Sequence, residues 1–286
     1  MVESILAYLA SALLATLAQI GIILLPIIIL ALIIHLEARF TESRAIQFMG
    51  RGWYLGLFGW LGTVIHELGH AVFCVLFRHQ IRDIKLFKPD PETGTLGYVK
   101  HAYKKNSLYQ QAGNFFIGIG PILFGLAVLG AVIYFLLGIN PFNLGGNWSN
   151  ASAAPVSWST LSLLLQNLWH SASGLLAGIF SWQAFNGWRV YVFLYLVLAV
   201  GSSLALSLSD IKSSLKGFIL ILILLVVFNL ATAWMSDFTY KLLLGLAGYL
   251  GPFFGLALFV AMLNLAIALL VLVPLSLLRP QHAKSH

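Results

Sequence analysis

From position 53 to position 77 the chain is almost wholly apolar, yet His66, Glu67 and His70 stand in the middle of that run. A segment of this length and character reads as a membrane-spanning helix. In a helix, positions i and i+4 share one face, about 6 Å apart along the axis, so both imidazoles point the same way with Glu67 beside them. Ionisable groups in a hydrocarbon slab are costly, roughly 2.5 to 3.5 kcal/mol for Asp or Lys on insertion scales, so something must compensate them. H-E-x-x-H at helical spacing offers that compensation: two histidines bind one metal ion and the glutamate acts as a base. In a soluble, charge-rich helix the same letters are commonly a chance match. Here the neighbours at 61–65 and 71–77 are apolar, and the sequence predicts a zinc site within a membrane.

The rest of the chain agrees with that setting. A content of 60% hydrophobic and 9% charged residues, with mean hydropathy +0.92, lies outside the range of soluble domains. A single membrane domain over 1–286 is expected, an all-α polytopic fold of about six transmembrane helices. The apolar stretches fall near 4–36, 53–77, 112–138, 189–211, 217–235 and 251–278, each long enough for the ~20 residues that a ~30 Å core requires. The first is overlong and carries Gly21 and Pro26, so it is expected to be a tilted or kinked helix, or a hairpin, and a retained anchor rather than a cleaved signal. The single cysteine, Cys74, excludes an internal disulfide and a multi-cysteine zinc knuckle, and a buried packing role is expected for it.

Lys and Arg placement sets the expected orientation. Segment 78–110 holds Arg78, Arg82, Lys85, Lys88, Lys100, Lys104 and Lys105, and should face the cytoplasm. With six spans, both termini are cytoplasmic, although a loop at 37–52 then puts Arg39, Arg44 and Arg51 outside. The net charge of +7 reads as this bias plus contact with anionic headgroups, without nucleic acid. Two β-prone stretches, 81–87 and 95–101, flank a turn cluster at 89–94 and predict a short cytoplasmic β-hairpin over 81–101. That hairpin is either a structural flap or a sheet edge to which an unwound substrate strand adds. The external stretch 139–187 lacks Lys, Arg, Asp and Glu but is rich in tryptophan, and 160–182 is expected to lie along the membrane surface. Asn147 and Asn150 begin glycosylation-like triplets that are expected to be chance matches.

A catalytic zinc normally takes three protein ligands and one water. Downstream of Glu92 the acids are Asp210 and Asp237, and no glutamate remains. Asp210, at the inner end of the predicted fourth span, shares a membrane half with His66 and His70. Two readings stand for it: third ligand, or N-cap of the next helix with Ser207 and Ser209. Water must reach such a site, and Asn114, Ser203 and Ser207 are candidates for a polar path or for ordinary interhelical hydrogen bonds. Gly113, Gly118, Gly120 and Gly125, with Pro121, allow close helix approach or a substrate gate. His101 could assist catalysis, bind a second metal, or simply be a surface histidine.

The piece His66 to His70, the Gly118, Gly120 and Pro121 stretch of the next span, and an inner-end aspartate two spans after the motif together resemble the site-2 protease family of intramembrane zinc metalloproteases. The resemblance covers about 53–214, a three-helix core carrying the hairpin, with the anchor and loop 1–52 before it and two helices in 215–286 after it. It implies one Zn2+ per chain on His66, His70 and Asp210, with Glu67 as catalytic base. It further implies hydrolysis of peptide bonds in membrane-spanning substrates near the cytoplasmic side, under the control of a membrane partner or of the helices themselves. Two other classes remain open. One is a non-proteolytic metal-binding scaffold or assembly subunit, which would not need Glu67. The other is a transporter or metal carrier, which would need intramembrane charges on several helices.

Overall fold

In the computed structural model, which describes residues 2–90, 92, 94–141, 158–181 and 187–278, helices dominate and one two-stranded antiparallel sheet is present. The helices are α1 (Val2–Gln19), α2 (Leu25–Met49), α3 (Arg51–Tyr54), α4 (Trp60–Leu76), α5 (Leu108–Val132), α6 (Trp158–Ile179), α7 (Trp188–Gly201), α8 (Leu208–Thr232), α9 (Ser236–Ile267) and α10 (Val273–Leu278). The strands are β1 (Gln80–Lys85) and β2 (Tyr98–Ala102). Among the described residues, five helices rather than six are long and apolar enough to cross a membrane.

Three boundaries differ from those expected. The first apolar run is neither a hairpin nor followed by a loop at 37–52: α1 and α2 join through a π-helical turn, Ile20–Leu24, and α2 stays helical to Met49. The buried positions Ile34, Ala38, Thr41 and Ala45 form one helical stripe, and Leu36, Glu37, Arg39, Glu42 and Arg44 between them are good helix formers. Gly50, at φ +84°, ends the helix. The π turn has a local cause. Pro26 lacks an N–H and its ring crowds the carbonyl four residues back, and the wider turn sits just upstream. The same pairing recurs where Ala268–Leu272 is π-helical ahead of Pro274.

The predicted spans 189–211 and 217–235 are also recut. The helix stops at Gly201, the backbone is non-helical over 202–207, and α8 begins at Leu208. Beside α4, α7 runs in the same direction: Tyr195 donates to the Leu57 carbonyl and His66 meets the Ser203 carbonyl. Antiparallel to α5 runs α8, with Asp210 against Gly118 and Gly217 against Phe115. The third concerns the stretch 160–182: its helix, α6, spans Trp158–Ile179 and docks on α9, where Ser171 fills the space above Gly255 and Ala172, Leu175 and Ile179 are fully buried. Residues 142–157 and 182–186, including the Asn147 and Asn150 triplets and Trp182, lie outside the described residues.

The main apolar cluster is built from α2, α5, α6, α7 and α9, with Leu126, Phe193 and Phe259 among its fully buried side chains, and a smaller one joins Ala45, Tyr54, Ala268 and Leu272. On its flank α4 crosses α5 backbone to backbone: a Cβ on Gly69 would lie 2.8 Å from the Gly120 carbonyl oxygen and from Pro121. Gly120 and Pro121 thus serve packing, as does Cys74, fully buried and unpaired. Between α1 and α8, Asn229 donates to Thr16 Oγ1 at 2.9 Å and to Gln19 Oε1 at 2.8 Å.

Candidate metal site and its cavity

The end of α4 fixes the hairpin. Arg78, at φ +57°, takes the left-handed position after the last helical turn, and the N–H groups of Arg78 and His79 return to the carbonyls of Val75 and Cys74 at 3.0 and 2.8 Å. This is a Schellman closure with arginine where glycine is usual. It turns His79 inward and starts β1, which pairs antiparallel with β2 from Gln80 opposite Ala102 to Lys85 opposite Tyr98. Outside the ladder, Tyr98 Oη donates to Asp83 Oδ2 at 2.6 Å and holds that carboxyl below its usual range. The expected hairpin is present, shifted by one residue at each outer end.

One turn apart on α4, His66 and His70 have their rings 5.1 Å from each other. Each Nδ1 lies 2.7 Å from a backbone carbonyl oxygen, that of Ser203 for His66 and that of Ile117 for His70. A carbonyl only accepts, so each Nδ1 carries a proton, and in the neutral ring Nε2 is the atom with a lone pair to give. Both Nε2 atoms face Asp210: His70 Nε2 is 3.2 Å from Oδ1 and His66 Nε2 is 3.7 Å from Oδ2. Two ring nitrogens turned on one carboxylate can share a proton with it or, with both rings neutral, bind a cation between them. Ligand atoms on a tetrahedral ion with bonds of about 2.0 to 2.2 Å stand about 3.4 Å apart, which these separations bracket. The three side chains, each offering one ligand atom within 4.8 Å of the others, could hold a metal ion, and they form such a group among the described residues. The backbone partners of both histidines are the outer-shell contacts that orient metal ligands.

The cap of α8 is Ser207 rather than Asp210, and Asp210 takes part in the cap while facing both histidines. Ser207 is the N-cap of α8 and Asp210 the N3 residue of a reciprocal capping box: Ser207 N and Oγ donate to Asp210 Oδ2 at 2.8 and 2.6 Å. Capping thus occupies one oxygen and aims the other at His70. The approach needs Gly118, since a Cβ there would collide with Ser214 Oγ and the Asp210 carbonyl. Gly118 therefore admits the first turn of α8 to the site, which is the close helix approach expected as one of its two roles.

Glu67 is buried, one residue along α4 from His66, and the hairpin loop lies directly on it. A Cβ on Gly97 would stand 2.8 Å from Glu67 Cγ and from the carbonyls of Lys85 and Leu86. Around Glu67 and the triad opens a cavity of about 820 Å³. His101, Gly118, Ser203 and Ser207 line it as expected; Pro121 and Asn114 do not, Asn114 being buried with its amide donating to the Gln111 carbonyl at 3.1 Å. Sequence reading missed the far wall, where α2 contributes His35, Arg39 and Glu42, and Tyr54 bonds Ser202 at 3.2 Å. Their i, i+4, i+7 spacing was the available signal. Comparison with protein families, with curated proteins and with solved structures finds no match for this chain.

Proposed function

We propose that the chain is an intramembrane zinc metalloprotease of the site-2 protease type, hydrolysing peptide bonds of membrane-spanning substrates. The observation that carries this reading is the coincidence, at one end of one cavity, of a His66–His70–Asp210 cation slot and the carboxylate of Glu67. A slot with structural duties alone needs no carboxylate base and no cavity. Zinc bound there supplies Lewis-acid polarisation of the scissile carbonyl and a lowered pKa for water. Glu67 takes the proton of the attacking water and passes it to the leaving amine. Ser203 and Ile117 keep the two imidazoles in the tautomer that leaves Nε2 free, and Ser207 holds the Asp210 carboxylate in place.

A helical substrate has every backbone group paired in lipid, so it must unwind to expose a peptide bond. Gly97 lies over Glu67 and residues 94–99 line the cavity, which supports a role for the hairpin in pairing with extended substrate backbone. The seven Lys and Arg residues of 78–110 support a cytoplasmic location for this side. The test is cleavage of a co-expressed single-span substrate: Glu67→Gln retains zinc and loses cleavage. Unchanged cleavage by Glu67→Gln contradicts the protease reading.

A further inference from the structure

The hairpin gives His101 a defined chemical identity. His79 Nε2 lies 2.7 Å from the Gln110 carbonyl oxygen, which only accepts, so Nε2 carries a proton. His79 is buried, and burial holds its pKa below the usual histidine value, so the ring is neutral and its Nδ1 is a lone pair. His101 Nδ1, 2.9 Å away, must then be the donor. Tyr103 stacks on His79 at 5.0 Å with an 18° interplanar angle and fixes that ring. Desolvation, then the neighbouring His79 and His70, push His101 down to about 4. With Nδ1–H spent on His79, a neutral His101 keeps Nε2 as a lone pair, on a ring that lines the cavity together with His70 and Glu67.

Several acceptors that line the cavity are already engaged. The Ser203 and Ile117 carbonyls are engaged by the metal-site histidines, and Asp210 Oδ2 by Ser207. An extended peptide brings N–H groups that lose water on entry, and each left unpaired is costly. We propose that His101 is a substrate-contacting residue, a hydrogen-bond acceptor locked in its Nδ1–H tautomer by His79 and the Gln110 carbonyl, that receives a backbone N–H of an extended peptide beside the metal triad. This rests on the peptidase reading above, and two measurements separate the failure of one from the failure of the other.

The first is 15N NMR of the full chain in detergent with labelled histidine, His101→Phe serving to assign the resonance. The Nδ1–H tautomer is expected for His101, lost to a mixture in His79→Phe; an Nε2–H tautomer in the wild type overturns the proposal whatever the enzyme does. The second is titration of the zinc-loaded chain with a leucine-rich peptide hydroxamate and with its backbone N-methylated analogue. N-methylation is expected to weaken binding to wild type about tenfold more than to His101→Phe, the scale of one hydrogen bond. His101→Gln, whose side-chain oxygen can accept, should restore the discrimination, and zinc content should not change among the variants. Equal losses in wild type and His101→Phe overturn the substrate contact. A hydroxamate that fails to bind the zinc-loaded wild type contradicts the peptidase reading and takes the contact with it.

Discussion

Asp210 Oδ1 stands 3.2 Å from His70 Nε2 while Oδ2 of the same carboxylate receives the backbone N–H of Ser207, so one side chain both starts a helix and completes a candidate metal site. The break at 202–207 makes this possible. It delivers the Ser203 carbonyl to His66 and sets the N-terminus of α8 at the level of the histidines. Non-helical backbone at membrane depth is tolerated where it lines a protein cavity, and Ser202, Ser203, Ala205, Leu206 and Ser207 do so here.

The first consequence concerns Ser207. Ser207→Ala removes the cap and one anchor of the carboxylate. Loss of a cap costs about 1 kcal/mol of stability. Loss of an outer-shell contact lowers metal affinity about 10- to 100-fold. Both should appear together, in thermal unfolding and in competitive zinc titration, and full metal affinity in this variant would show that capping does not orient Asp210.

Gly97 lies against Glu67 and against two carbonyls of the facing strand end. Gly97→Val must therefore push the loop off Glu67 or force its carboxylate aside. We expect at least a 100-fold fall in cleavage, on the scale of a misplaced catalytic group, with zinc content unchanged. Near-normal cleavage would place the working position of Glu67 elsewhere.

The hairpin should weaken in mild acid. His79 and His101 both have folded pKa values depressed by burial, that of His101 to about 4 against 6.5 unfolded. The unfolded hairpin therefore binds more protons between those values, so its stability is full above about 6.5 and is lost as pH falls toward about 4. Asp83, already held below its usual range by Tyr98, does not titrate in that window. Amide exchange in β1 and β2, corrected for intrinsic rate, should accelerate relative to α5 between pH 7 and pH 5, and His79→Phe should remove much of that dependence.

Much of this site is legible in the sequence because its chemistry sits in side chains at fixed spacing. His66, Glu67 and His70 follow from the i, i+4 rule, and Asp210 from the scarcity of acids downstream. What stays hidden is carried by backbone. The Ser203 and Ile117 carbonyls that orient the histidines have no residue signature, and neither does the break that presents Ser203. The α2 wall is missed for a different reason: apolar runs mark where helices cross lipid, and α2 continues past its apolar stretch on a stripe of Ile34, Ala38, Thr41 and Ala45 with charges between them. His79 is missed because its partners, Gln110 and His101, meet it only when the hairpin folds back.

The central claim is a zinc-dependent peptidase centre, and the most direct measurement is zinc per chain in detergent-purified protein for wild type, His66→Ala, Asp210→Ala and Glu67→Gln. The geometry predicts about one zinc in wild type and in Glu67→Gln, and almost none in the other two, as expected of three protein ligands and a separate base. Absence of zinc from wild type, or zinc binding indifferent to Asp210, would contradict it.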